Sequence, residues 1–206
     1  MIYEMAIIAK EHVSDDDVST LNGLIKEVLG QYESELLIED DWGKRTFAQP
    51  AANNSVRGHY LYYIFKSENS ATNAELVRRL KINESVTKQL IVNLGSDAEL
   101  DKIVKSYKSP YSKKYNGSVT DDTADIDLDK DRRGFSRRKH CWFSARKIKA
   151  DWKDPNTYGW LVNEFGKISP ARVSGVSCKH QRFVTTAIKR ARQLSMISHL
   201  SRRTLQ

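Results

Sequence analysis

The stretch GHYLYYIFK, Gly58–Lys66, reads as a β-strand with no polar side. Side chains alternate across a strand, so Tyr60, Tyr62 and Ile64 share one face and Leu61, Tyr63 and Phe65 the other. A strand that is apolar on both faces belongs to a sheet covered on both. The alternative is partial exposure of the tyrosines, each of which has an apolar body and a polar tip.

Outward from this strand the punctuation is regular. Ile2–Ala9 reads as a strand, rich in Ile, Tyr and Met. Ser14 followed by Asp15, Asp16 and Asp17 is a helix start, with carboxylates where the helix dipole favours them. Val18, Leu21, Ile25, Val28 and Leu29 then recur at helical spacing. Glu35–Phe47 reads as a second strand, Gly58–Lys66 as the third, Ser70–Leu80 as a shorter helix and Val86–Leu94 as a fourth strand. The order βαββαβ predicts a ferredoxin-like sandwich over residues 1–96, with both helices on one face of the sheet.

Charge divides the 206 residues differently from length. Residues 1–129 carry 15 Lys and Arg against 22 Asp and Glu, a net of −7; residues 130–206 carry 19 against 4, a net of +15. An acidic part joined to a strongly basic one predicts two modules that attract each other, the basic one meeting a polyanion. Apolar runs stay well short of 18 residues, so no membrane span and no membrane partner are expected. Two cysteines do not make a disulfide framework, and a reducing, cytoplasmic setting is the simplest reading.

Residues 97–130 show little hydrophobic periodicity and read as a flexible charged linker. Lys102, Lys105, Lys108, Lys113 and Lys114 alternate with Tyr107, Tyr111 and Tyr115, a pattern compatible with single-stranded RNA or with a solvated tether. Asp121, Asp122, Asp125, Asp127, Asp129 and Asp131 follow without the glycine and terminal glutamate of a calcium loop. As a coil the linker spans roughly 30 Å.

Residues 131–206 read as a small α-helical RNA-binding bundle, giving an α+β chain overall. Arg132, Arg133, Arg137, Arg138 and Lys139 form a cationic arm, with Trp142 and Phe143 beside it to anchor on the other module or stack on a base. Asp154-Pro155 predicts a helix with Tyr158, Leu161, Val162 and Phe165 on its apolar face, ended by Gly166. Ser177 caps the last long helix. At 100° per residue, Phe183, Leu194, Ala187, Ala191, Val184 and Ile188 fall on an arc of about 140°. Arg192, Lys189, Arg182, Lys179 and Arg190 lie opposite. The reading makes Phe183 a core residue and assigns RNA contact to the arm, Arg172, Lys179, Arg182, Lys189, Arg190 and Arg192. Tyr60, Tyr62, Trp42, Trp142 and Phe143 are the expected contact between modules.

Two resemblances sharpen this. YEMAIIAK, EDDWGKRTFAQP, GHYLYYIF and LKINESVTKQLIVNL resemble ribosomal small-subunit protein six over residues 2–95, most specifically at Trp42-Gly43-Lys44-Arg45 followed by Pro50. The loop AANNSV departs from that family in having only Arg57 as a nearby cation. GKISPARVSG and KHQRFVTTAIKRAR resemble bacterial small-subunit ribosomal protein eighteen, from about Arg132 to about Arg203. These families bind each other and then the central domain of small-subunit ribosomal RNA, so the resemblance implies a fusion of two partners, working beside neighbouring small-subunit ribosomal proteins. It also implies that such a pair can bind its own messenger leader. Some members of the second family hold zinc through extra cysteines. Here Cys141 is followed by Trp-Phe-Ser and Cys178 stands alone, so no metal and no cofactor are expected. His180 is expected as a satisfied core residue.

Two other functions compete. An enzyme would need a nucleophile–base pair, a phosphate loop or paired carboxylates on a motif, and none is legible. An RNA-recognition-motif protein, free or autoregulatory, would use Arg57–Ile64 as its third-strand signature. There His59 replaces a stacking aromatic, and Tyr60 stands where a small residue should be.

Overall fold

The computed structural model describes residues 1–51, 54–96, 100–107, 109–110 and 141–200. Strand β1 (Ile2–Lys10) leads to helix α1 (Asp15–Gln31), then strands β2 (Glu35–Thr46) and β3 (Arg57–Lys66), helix α2 (Ala71–Ile82) and strand β4 (Val86–Gly95). The strands form one antiparallel sheet in the order β2-β3-β1-β4, the ferredoxin-like arrangement. Helix α1 starts at a complete capping box: the Ser14 hydroxyl accepts from the Asp17 N–H and the Asp17 carboxylate accepts from the Ser14 N–H.

One face of the sheet closes on its own helices. Met5, Ile7, Leu61, Tyr63 and Phe65 pack with Leu21, Ile25 and Val28 of α1 and with Leu76 and Leu80 of α2. The alternation of β3 puts Tyr60, Tyr62 and Ile64 in a second cluster on the opposite face. That cluster also holds Trp42, Trp152, Tyr158, Leu161, Val184, Ile188 and Leu194. Gly58 permits the tight entry to β3, since a Cβ there would lie 2.6 Å from both Ile8 and Phe47.

Strand β2 skips a residue at Trp42: Asp41 pairs with Leu61 and Gly43 with Tyr60. Gly43 has φ of +74°, and its N–H bonds the Asp41 carboxylate at 2.7 Å. A bulge re-aims the side chain at the skip, and here it buries the Trp42 indole.

The linker departs from a plain tether at its start. Leu100–Ser106 is a helix, α3, and Leu100, Ile103 and Tyr107 pack against the second cluster. Tyr111, Lys113, Lys114, Tyr115 and the acidic run lie outside the described residues.

The C-terminal module has less helix than its spacing predicts. It comprises α4 (Trp142–Arg146), single 3₁₀ turns at Pro155–Thr157 and Gly159–Leu161, α5 (Ala171–Ser174) and the long α6 (Cys178–Gln193). The expected helix from Asp154 to Gly166 is corrected to those two turns followed by a loop. Tyr158 and Leu161 are buried as expected, but Phe165 is 71% exposed. The cause is Asn163, whose side-chain oxygen accepts from the N–H groups of Phe165 and Lys167 and so competes with helical bonding. Gly166, at φ +74°, then reverses the chain so that Val162 bridges to Ile168, a β pairing inside an expected all-helical bundle. Among the described residues, no helix is long and apolar enough to cross a membrane.

Candidate nucleic-acid interface

The sheet face opposite α1 and α2 is built around a buried acid. Glu4, 2% exposed on β1, accepts the Trp152 indole N–H at 2.7 Å, the Lys153 ammonium at 2.8 Å and the Tyr62 hydroxyl at 2.9 Å. A carboxylate out of water needs such donors. Two of the three come from the C-terminal module. The Tyr62 ring stacks with the Trp42 ring, 4.9 Å away and 14° from parallel, and with the Tyr107 ring, 5.1 Å away and 4° from parallel. The Tyr107 hydroxyl and the Trp42 indole N–H both donate to Asp40, at 2.5 and 3.1 Å. Burial, then the Glu4 charge, pushes the Tyr62 hydroxyl above the ordinary tyrosine range. Burial and the bond to Asp40 do the same to Tyr107.

The C-terminal end of α6 is seated on the same module. The Tyr60 hydroxyl donates to the Leu194 carbonyl at 2.7 Å, and the Ala48 N–H to the Ser195 carbonyl at 2.8 Å. The Lys88 ammonium bonds the Ser195 hydroxyl at 2.6 Å. Helix ends leave carbonyls without partners and carry partial negative charge. The Tyr60 hydroxyl and the Ala48 N–H supply partners for two carbonyls, and the Lys88 cation stands beside the negative helix end.

Trp42, Tyr60 and Tyr62 lie in one buried cluster with Trp152, Tyr158, Leu161 and Leu194. Phe143 is buried in the cluster that holds Tyr60 and Tyr62, and Trp142 packs against that cluster. They pack on each other at 5.0 Å, on Trp160 at 6.1 and 6.5 Å, and Phe143 on His180 at 5.7 Å. Trp152 is tilted against Trp42 and Tyr62 at 6.0 and 6.3 Å, a direct aromatic contact with the sheet. Trp152 and Lys153 are absent from the sequence reading. Their only signal is a Trp-Lys pair just before the Asp154-Pro155 turn.

Lys179, Arg182 and Lys189 of α6 are exposed, as is Arg172 of α5, while Arg190 is half-buried. Exposed Arg146, Lys147 and Lys149 add to the basic set and were also missed. Arg192 is corrected: its guanidinium turns inward and bonds the Gly166 carbonyl, and burial lowers its pKa. It lies only about 40° along the helix from buried Ile188, at the rim of the apolar arc. Phe183 is corrected in the opposite sense. It is 44% exposed, while Val184, Ala187, Ile188 and Ala191 are buried. Arg132, Arg133, Arg137, Arg138 and Lys139 lie outside the described residues.

His180 is half-buried rather than central to the core. Its Nδ1 lies 2.9 Å from the Ser177 hydroxyl and 3.6 Å from the Cys141 thiol. Cys141 is buried and Cys178 exposed. Among the described residues, no group of three His, Cys, Asp or Glu side chains is placed to hold a metal ion.

Comparison with known proteins assigns both halves. Residues 146–197 match the model of the family described as ribosomal protein S18. The small ribosomal subunit protein bS18 of Syntrophobacter fumaroxidans is 49% identical over 69 residues, 33% of this chain and 85% of that protein. The chain belongs to this family. Its counterpart in Geotalea uraniireducens is 49% identical over 67 residues, 32% of this chain and 74% of that one. Residues 2–93 match the model of ribosomal protein S6, so one chain joins the two families. A crystal structure of 30S ribosomal protein S6 from Thermotoga maritima aligns with a TM-score of 0.43 and 17% identity, covering 50% of this chain and 94% of that one. Both families are structural and non-enzymatic, and the chain is not an enzyme.

Proposed function

We propose that this protein is a structural constituent of the small ribosomal subunit that binds the central domain of its ribosomal RNA as a covalently linked, docked pair. The observation that carries the reading is the presence of both families on one chain. The Glu4 network supports docking, because its acid comes from one module and its indole and ammonium from the other. Tethering holds the partners at an effective concentration on the order of millimolar. RNA contact falls to the basic residues 131–206, beside neighbouring small-subunit ribosomal proteins in the cytoplasm.

A recognition-motif protein that reads RNA on its sheet is not favoured. Tyr60 and Tyr62, on the sheet face that would have to lie open to bases, are both buried.

The test is to ask whether the tagged full-length protein co-sediments with small subunits, and to titrate central-domain RNA at rising salt. Counterion release requires affinity to fall steeply, by about 10³–10⁵ between 50 and 200 mM salt for six to ten phosphate contacts. An affinity unchanged by salt overturns the electrostatic reading. For docking, protease cleavage between residues 111 and 140 should leave two fragments that stay together at micromolar concentration; fragments that separate freely overturn it.

A further inference from the structure

We propose that Phe183 is a base-stacking residue, its ring covering an unpaired base of bound RNA while Lys179 and Arg190 meet the flanking phosphates. The inference deepens the RNA-binding reading above and rests on it.

Phe183 is 44% exposed on a helix whose apolar positions are otherwise buried, Val184, Ala187, Ile188 and Ala191 among them. Core packing thus leaves much of this large apolar residue in solvent, beside fully buried neighbours on the same helix. At 100° per residue, Arg190 stands about 20° and Lys179 about 40° from it on the solvent side, with Thr186 about 60° away. The ring thus sits at the seam between the buried and the cationic sides of α6. That helix carries no acidic residue. Residues 141–200 as a whole carry eleven Lys and Arg against three Asp and Glu.

The surroundings select the occupant. A protein partner that buried Phe183 would have to desolvate the cations beside it, and charged residues are depleted from the cores of protein interfaces. A nucleic acid needs both features together: cations for the backbone and an aromatic face for the base. Because every base has a π-face, the contact adds affinity without reading sequence.

The test uses the full chain with Phe183→Ala, Phe183→Leu and Phe183→Tyr, titrated with a central-domain RNA fragment containing unpaired bases. Replacing a stacking aromatic costs about 5- to 150-fold in affinity. Ala and Leu should both show that loss, Tyr should retain wild-type binding, and the salt slope should not change. Melting temperatures of all three should match wild type, which separates the effect from unfolding. Wild-type affinity in the Ala variant overturns the proposal. So does retention by Leu, which would make the contact merely apolar. Reduced entry into small subunits with unchanged affinity for free RNA overturns it in favour of a protein partner. If the wild-type protein shows no salt-dependent RNA binding, the underlying reading falls and this inference with it.

Discussion

The two faces of one sheet are closed by different chemistry. The face toward α1 and α2 is almost wholly aliphatic and aromatic, and its cover comes from the same ninety-odd residues. The face toward the C-terminal module is aromatic with polar tips, and Glu4, Tyr60 and Tyr62 there have partners about 90 to 150 positions away. Burial of apolar area is non-directional, so the first face asks mainly for volume. Hydrogen bonds demand distance and angle. The second face therefore asks for one particular arrangement of Trp152, Lys153 and Leu194. Local elements can meet the first demand; the second needs residues far apart in the chain, Glu4 and Tyr60 on one side and Trp152, Lys153 and Leu194 on the other, brought into register.

The largest expected effect falls on the first face. Phe65→Ala empties a fully buried position under α1 and α2 and should cost about 3–5 kcal/mol. Urea unfolding should show the sheet and the docked module lost together. Lys153→Met should cost about 3 kcal/mol, the low end for breaking a buried pair, because the ammonium keeps 16% exposure. It leaves Glu4 with the Tyr62 hydroxyl and the Trp152 indole alone. Here the sheet should stay folded while the modules separate more readily, as read from fragments after linker cleavage. Adding Glu4→Gln should recover most of the loss by removing the uncompensated charge. If Lys153→Met melts the sheet as Phe65→Ala does, the two faces do not act separately.

Legibility in the sequence follows the same division. The capping box at Ser14 and Asp17, the alternation of Tyr60 to Phe65 and the start of α6 at Ser177 are all local signals, and strands and helices stand within a residue or two of where they point. The spacing of Tyr158, Leu161, Val162 and Phe165 mimics one helix face, yet the Asn163 side chain and Gly166 divert the backbone. Phe183 and Arg192 sit at the two rims of the α6 apolar arc, where a wheel cannot say which side the neighbouring elements cover. Helix α3 is missed because it has only two turns. Trp152 and Lys153 are missed for a different reason: nothing near them in the chain names Glu4, since complementarity across a contact is a property of two surfaces.

Alkaline pH offers a milder probe that touches both faces. Tyr62 and Tyr107 at the module contact, and Tyr63 beneath the helices, are all held above the ordinary value of 10.0, chiefly by burial. An unfolded chain releases these protons near pH 10 while the folded chain keeps them. Stability is therefore full below pH 10 and falls as pH rises above it, by up to about 1.4 kcal/mol per pH unit for each group. Urea melts at pH 9 and 11 should show the decline, and Tyr62→Phe should reduce it at the module contact alone. A stability that rises over this interval contradicts the assignment.

Tyr60→Phe is the smallest and sharpest change. It keeps the ring against Phe47, 6.1 Å away in an edge-on contact, and removes only the hydroxyl that meets the Leu194 carbonyl. The helix end then loses one of its donors while Ala48 and Lys88 still hold Ser195. One neutral hydrogen bond is worth about 0.5–1.5 kcal/mol net, and a carbonyl left without a partner in a buried place pushes toward the upper value. The expected result is a loss of about 1 kcal/mol in docking, read as a several-fold rise in the dissociation constant of the two cleaved fragments. The sheet's own unfolding should not change, because the helix-side cluster is untouched. RNA affinity of the uncut chain should also hold, since the exposed cations of α6 do not depend on this bond. A loss as large as that of Lys153→Met would mean that the seat of α6, rather than the buried acid, governs how the modules meet.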